Sequence, residues 1–125
     1  MRIRLTVEET VLEATLDDHE TARDFASLLP LTLRMHDLHS REKYGPLPKS
    51  LAEAGPRQHR FETGDIAYWS PGPDVAVFYS PDGPPVPDPG IVLLGSIGSG
   101  TEIFTKYDGP VEVTIEAIEL TKPLG

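Results

Sequence analysis

The chain has 125 residues, with 20 Asp and Glu against 11 Lys and Arg for a net charge of −9, and no cysteine. That length suits one domain with a core of its own. The charge excludes the basic face that nucleic-acid binding needs, and the missing thiols exclude a disulfide framework, a thiolate metal site and a cysteine nucleophile.

Met1 to Glu8 alternates polar and apolar residues, with Ile3, Leu5 and Val7 on one face of a half-buried strand. No apolar run here has the length of a signal peptide or membrane span, so a cytoplasmic protein without a membrane partner is expected. A turn at Glu8-Glu9 leads to a hairpin partner over Thr10–Leu16, in which Leu12, Ala14 and Leu16 alternate with Glu13 and Thr15. Asp17-Asp18 then opens the main helix, about 19–29, with Asp18 as N-cap and Glu20 at the positive end of the helix dipole. Ala22, Phe25, Ala26 and Leu29 form its apolar face, and Pro30 stops it. A lone helix of this length must cover a sheet.

Leu31, Leu33 and Met35 alternate with Thr32, Arg34 and His36 along the next strand, and the polar segment Leu38–Tyr44 reads as a loop. Pro48 suits a first helical position, so a short second helix is expected over about 48–53. The central stretch follows. Gly64-Asp65 and Pro71-Gly72-Pro73-Asp74 are turn signals around two strands, Ile66–Trp69 and Val75–Tyr79, which hold the only Trp. Ser80–Gly90 carries five prolines and cannot be a ladder strand or a helix interior. It is a stiffened excursion, equally suited to a functional loop or a spacer over one end of the fold. Ile91–Leu94 is a buried apolar run. Gly95, Gly98 and Gly100 after it precede no helix, so they read as bends at a barrel corner rather than a phosphate cradle. Val111, Val113, Ile115 and Ala117 alternate along a closing strand that runs into Ile118 and Leu120, and 121–125 form a loose tail to a single domain spanning 1–125.

Chemistry-bearing residues are sparse. His19, His36, His39 and His59 show no helical metal-binding spacing, and the serines lie in no nucleophile elbow. No metal, cofactor or catalytic residue is assigned. Asp17-Asp18, Glu8-Glu9 and Asp24 are explained by turns and capping. The aromatic residues say more. Alternation puts Tyr68 and Trp69 on opposite faces, and Phe78 and Tyr79 likewise, so one of each pair fills the core and the other is free to line a groove.

Thr21–Leu33, Glu42-Lys43-Tyr44-Gly45-Pro46-Leu47-Pro48, Gly64–Trp69, Val75–Tyr79 and the glycine-bearing strand Ile91–Gly98 resemble the small prokaryotic cyclophilin-like proteins, in consistent order from Met1 to Leu120. The resemblance implies a mainly β fold, a closed barrel of about eight strands with one helix covering an open end. Cyclophilins isomerise X-Pro bonds with an arginine on the prolyl carbonyl, a Phe-lined pocket and a glutamine. Their Phe-His-Arg and Gln-Gly-Gly-Asp-Phe signatures are absent here, so no catalytic residue is carried over.

The expected function is therefore a binding module whose surface groove holds a peptide or small molecule, lined from Arg34, His36, Arg41, Tyr44, His59, Tyr68, Trp69, Phe78 and Tyr79. Two alternatives stand beside it. One is a weak peptidyl-prolyl isomerase with Arg34 or Arg41 as carbonyl donor and Phe78 or Tyr68 in the proline pocket. The other is a small-molecule isomerase or cyclase with His36 or His59 as acid–base.

Overall fold

The computed structural model describes residues 1–118. Eight antiparallel strands close into a barrel. In chain order they are β1 (Arg2–Val7), β2 (Thr10–Leu16), β3 (Leu31–Leu38), β4 (Glu42–Pro46), β5 (Asp65–Trp69), β6 (Asp74–Phe78), β7 (Val92–Ile97) and β8 (Val111–Ala117). Their order around the barrel is β1-β2-β7-β5-β6-β4-β3-β8, and β8 closes it by pairing both β3 and β1. The registers Leu5↔Leu12, Leu5↔Ile115 and Leu33↔Val113 put the apolar set of each strand on one side, where Ile3, Leu5, Val7, Leu12, Val113 and Ile115 fill the interior. No helix among the described residues is long and apolar enough to cross a membrane.

The main helix, α1 (Glu20–Ala26), sends Ala22 and Phe25 into this core. It is shorter than the expected 19–29, because Leu28 and Leu29 follow it in a tightened turn whose amides bond the Phe25 and Ala26 carbonyls. Its N-cap is His19, not Asp18. The His19 Nδ1 accepts from the Ala22 amide at 3.1 Å, and its Nε2 faces the Leu93 carbonyl at 2.8 Å. That second contact requires the proton on Nε2, so one ring caps the helix and ties it to β7. Asp18 instead pairs with Arg23 at 2.7 Å.

The short helix expected over 48–53 does not form; the second helix among the described residues is a 3-10 turn at Thr101–Lys106 that buries Phe104. The reason is a set of competing hydrogen bonds. Asp24 accepts from the Ala52 amide, Thr21 Oγ1 accepts from the Ala54 amide and donates to the Ala52 carbonyl, and the Tyr68 hydroxyl accepts from the Leu51 amide. These bonds occupy the amides of Leu51, Ala52 and Ala54 in a non-helical path beside α1, in competition with the bonds a helix would make. The closing strand as far as Ile118 is seen, with the Ile118 amide on the Arg2 carbonyl. Its expected continuation to Leu120 and the tail 121–125 lie outside the described residues.

Gly95 is a close-approach position. A Cβ there would lie 2.2 Å from the Thr15 carbonyl oxygen across the β2–β7 pairing, whereas one at Gly98 would meet nothing within 4 Å. Beside it, β5 and β7 slip register between Ile66 and Ala67, which bends the sheet. Gly95→Ala is therefore expected to destabilise the fold by about 1–3 kcal/mol or more in urea unfolding. Gly98→Ala should stay within about 0.5 kcal/mol of wild type. Equal effects at the two positions would remove the close-approach assignment.

Candidate functional site

The outer face of the barrel is polar around most of its circumference but not over β4, β6 and β5. Their outward residues pair in three rows: Glu42 with Phe78, Tyr44 with Ala76 and Ala67, and Pro46 with Asp74 and Trp69. The middle row pairs one tyrosine with two alanines, so the sheet surface dips between the large side chains on either side. Ala67, Ala76, Phe78, Val86 and Ile91 form a second apolar cluster there, separate from the barrel interior, with Tyr44, Phe61 and Trp69 packed against it.

The proline-rich excursion roofs this cluster. The Val86 amide donates to the His59 carbonyl at 2.8 Å, and His59 Nδ1 meets the Val86 carbonyl at 2.7 Å, while Gln58 and Ile91 exchange a pair of backbone bonds at 2.9 Å. Segments 58–61 and 84–91 thus form one strap, with the Val86 side chain turned in and buried. Arg41 latches it. The guanidinium packs over Phe61 and Phe78, with centroids 4.9 and 5.6 Å away, and donates through Nη1 to the Pro84 carbonyl. Its Nε and Nη2 bond Glu42 Oε1, and both side chains are almost wholly buried. Burial pushes the Glu42 carboxyl upward despite the arginine beside it.

Between strap and sheet a hollow of about 260 Å³ remains. Ala76 is its floor, Tyr44 and Trp69 its sides, Val86, Pro87 and Ile91 its roof and back, and Leu38 with the Arg41–Glu42 pair its far end. Asp74 stands at the near end, its carboxyl raised by loss of solvent. Four residue steps along β6 take Asp74 to the Glu42 row, a span of about 13 Å. The site is a short apolar trough with a carboxyl at each end, one of them neutralised by arginine.

Comparison with known proteins agrees with this architecture. The model of the cyclophilin-like family matches residues 5–116. The chain belongs to that family. Nothing among the curated proteins matches it. Among solved structures, the cyclophilin-like chain is similar to a hypothetical protein from Archaeoglobus fulgidus, determined in solution, at 23% identity and a TM-score of 0.73, over 94% of this chain and 95% of that one.

The nine residues expected to line a groove are divided by the structure. Arg41, Tyr44 and Trp69 line the trough. Phe78 lies beneath it, stacked on Phe61 with centroids 4.3 Å apart. His59 holds the strap, and His36 is exposed beside the outer side of Tyr44 at 5.9 Å. Arg34 is exposed on β3 opposite Glu112. Tyr68 and Tyr79 point the other way, into the barrel core, as alternation from Trp69 and Phe78 requires. Among the described residues no group of three or more His, Cys, Asp and Glu is placed to hold a metal ion. His39 sits at φ 58° with Ser40 at φ 51° in the three-residue turn between β3 and β4. Seven of the ten lining residues were not expected there, Glu42, Asp74 and Ala76 among them. Glu42 reads as loop and Asp74 as a turn, and an alanine becomes informative only when its cross-strand neighbours are known to be aromatic.

The strand β4 has the sequence of a polar loop because it and the residue before it carry Glu42, Lys43 and Arg41 into buried positions. Lys43 lies inside the barrel, where its Nζ bonds Asp37 at 3.0 Å and the Tyr107 carbonyl beneath the Tyr79 ring. The Tyr79 hydroxyl donates to the same Asp37 oxygen. Burial alone would raise Asp37, but hydrogen bonds from Tyr79, Lys43 and the Ser40 amide outweigh it and hold the carboxyl low. Burial and Asp37 together push the Tyr79 phenol upward. A lowered folded-state carboxyl stabilises fully above its ordinary value of 3.8, and that stabilisation is lost as the pH falls through the lowered value. Asp37→Ala strands a buried ammonium and is expected to cost about 3–5 kcal/mol at neutral pH. Adding Lys43→Met should recover much of that loss, and a double variant as unstable as the single one would refute the pairing.

Proposed function

We propose that the protein is a binding module that holds a small, largely apolar ligand in the trough between the β4–β6–β5 face and the strap. The observation that carries this reading is the alanine floor. Two alanines stand where a sheet face under a lid would ordinarily carry larger residues, and they leave a lined hollow where close packing would be expected. Its volume, about 260 Å³, lies just below the range of drug-sized sites, so it suits one side chain or a compact organic molecule. Aromatic sides, an aliphatic roof and a few charged groups at the ends are the composition of a ligand site.

Prolyl isomerisation has one observation in its favour. Arg41 already donates to a prolyl carbonyl, that of Pro84 in the strap. Yet Glu42 and Pro84 hold that guanidinium on three of its nitrogens, and Arg34 lies exposed away from the trough, so neither arginine is available to a substrate. His36 and His59 lie outside the lining and suit acid–base catalysis there no better. An acidic chain without cysteine suits a reducing prokaryotic cytoplasm.

Uncharged aromatic fragments such as indole and 2-phenylethanol are expected to shift the amide signals of Tyr44, Ala76 and Val86. Ala76→Leu fills the floor and should weaken that binding at least tenfold, with urea stability within about 1.5 kcal/mol of wild type. Binding unchanged in Ala76→Leu would place the site elsewhere. In a proline-peptide isomerisation assay the rate should stay at buffer background; catalysis abolished by Arg41→Ala would favour the isomerase reading instead.

A further inference from the structure

The charges around the trough do not cancel, and their imbalance selects a ligand. Of its three charged lining residues, Arg41 and Glu42 bond one another, and the third guanidinium nitrogen donates to the Pro84 carbonyl. Asp74 alone has neither a side-chain hydrogen bond nor an ion pair among the described residues. It is not stranded by accident of a flexible tip, because it belongs to β6 and pairs in register with Trp69 on one side and Pro46 on the other. Its carboxylate is half-buried on a strand at the mouth of an apolar hollow, with its hydrogen-bonding capacity open to water or to a ligand's donor.

Resting on the groove reading above, we propose that the ligand is a small organic ammonium, its cationic end on Asp74 and its apolar body over Ala76 between Trp69 and Tyr44. An ammonium–carboxylate contact is a charge-assisted hydrogen bond, roughly twice as strong as a neutral one. The Trp69 indole beside Asp74 offers a π face to the same cation, the best aromatic surface for that purpose. The end near Arg41 and Glu42 is already neutral, so a second charge on the ligand has no counterpart there. A net charge of −9 on the chain draws cations toward it and repels anions. The occupant is a free small molecule rather than a lysine of a longer chain. The strap lies across the trough where an extended peptide would run, and the hollow of about 260 Å³ is filled by one ring and a short tether.

Trp69 is the only tryptophan, so its emission reports the site directly. The test is a fluorescence titration of the full chain with three isosteres: 2-phenylethylamine, 2-phenylethanol and 3-phenylpropanoate. The amine should bind about tenfold tighter than the alcohol, and the anion weakest. Asp74→Asn should abolish the gap between amine and alcohol, and amide signals away from the trough that match wild type separate loss of charge from loss of fold. Equal affinity of amine and alcohol in the wild type, or preference for the anion, overturns the ammonium proposal and leaves the groove standing. A lysine-containing tripeptide with blocked ends that binds tighter than the free amine overturns the small-molecule source. No response to any of the three isosteres removes the groove reading and this proposal together.

Discussion

Closure of the sheet is the constraint from which the rest follows. Once β8 pairs with both β1 and β3, every strand has one face inside and one outside, and alternation fixes which side chain goes where. Tyr68 and Tyr79 are committed to the interior, and Trp69 and Phe78 to the exterior. The exterior of β4, β6 and β5 is thereby loaded with apolar side chains that the barrel core cannot cover. A second covering layer is required, and the strap of 58–61 and 84–91 supplies it.

The strap is held by polar groups buried on purpose. Arg41 replaces water with two aromatic faces, a carboxylate and a backbone carbonyl, so its desolvation is offset contact by contact. Replacing such a pair with hydrocarbon is often neutral for stability, and its value here is geometric. A fixed latch at one end of the trough sets the height of the roof above Ala76. On the inner side of the same strand, Lys43, Asp37 and Tyr79 form a separate network that fixes β4 against β3. One short strand therefore carries ion pairs on both faces, the outer serving the trough and the inner serving the barrel.

Much of the barrel was legible in the sequence because its strands obey a period of two. Ile3-Leu5-Val7 and Val111-Val113-Ile115 announce their buried faces without reference to any neighbour, and Phe25 with Ala22 announces the helix. β4 was not legible for the opposite reason. It and the residue before it bury Arg41, Glu42 and Lys43, and the partners Pro84 and Tyr107 come from distant parts of the chain. The segment 48–53 misled in the same way, since Pro48 favours a helix locally while Thr21, Asp24 and Tyr68 outbid it from other elements. For the trough, Trp69 and Tyr44 stood out as large residues seeking a place. Ala76 and Asp74 gained meaning only from the register that sets them beside those aromatics.

The most direct measurement is a set of intermolecular nuclear Overhauser contacts between a bound aromatic molecule and the methyl groups of the protein. The expected result is contact to the Ala76 and Val86 methyls together, the floor and the roof seen from one ligand. Contacts confined to methyls elsewhere on the barrel, or a bound ligand that touches neither Ala76 nor Val86, would contradict a binding site beneath the strap.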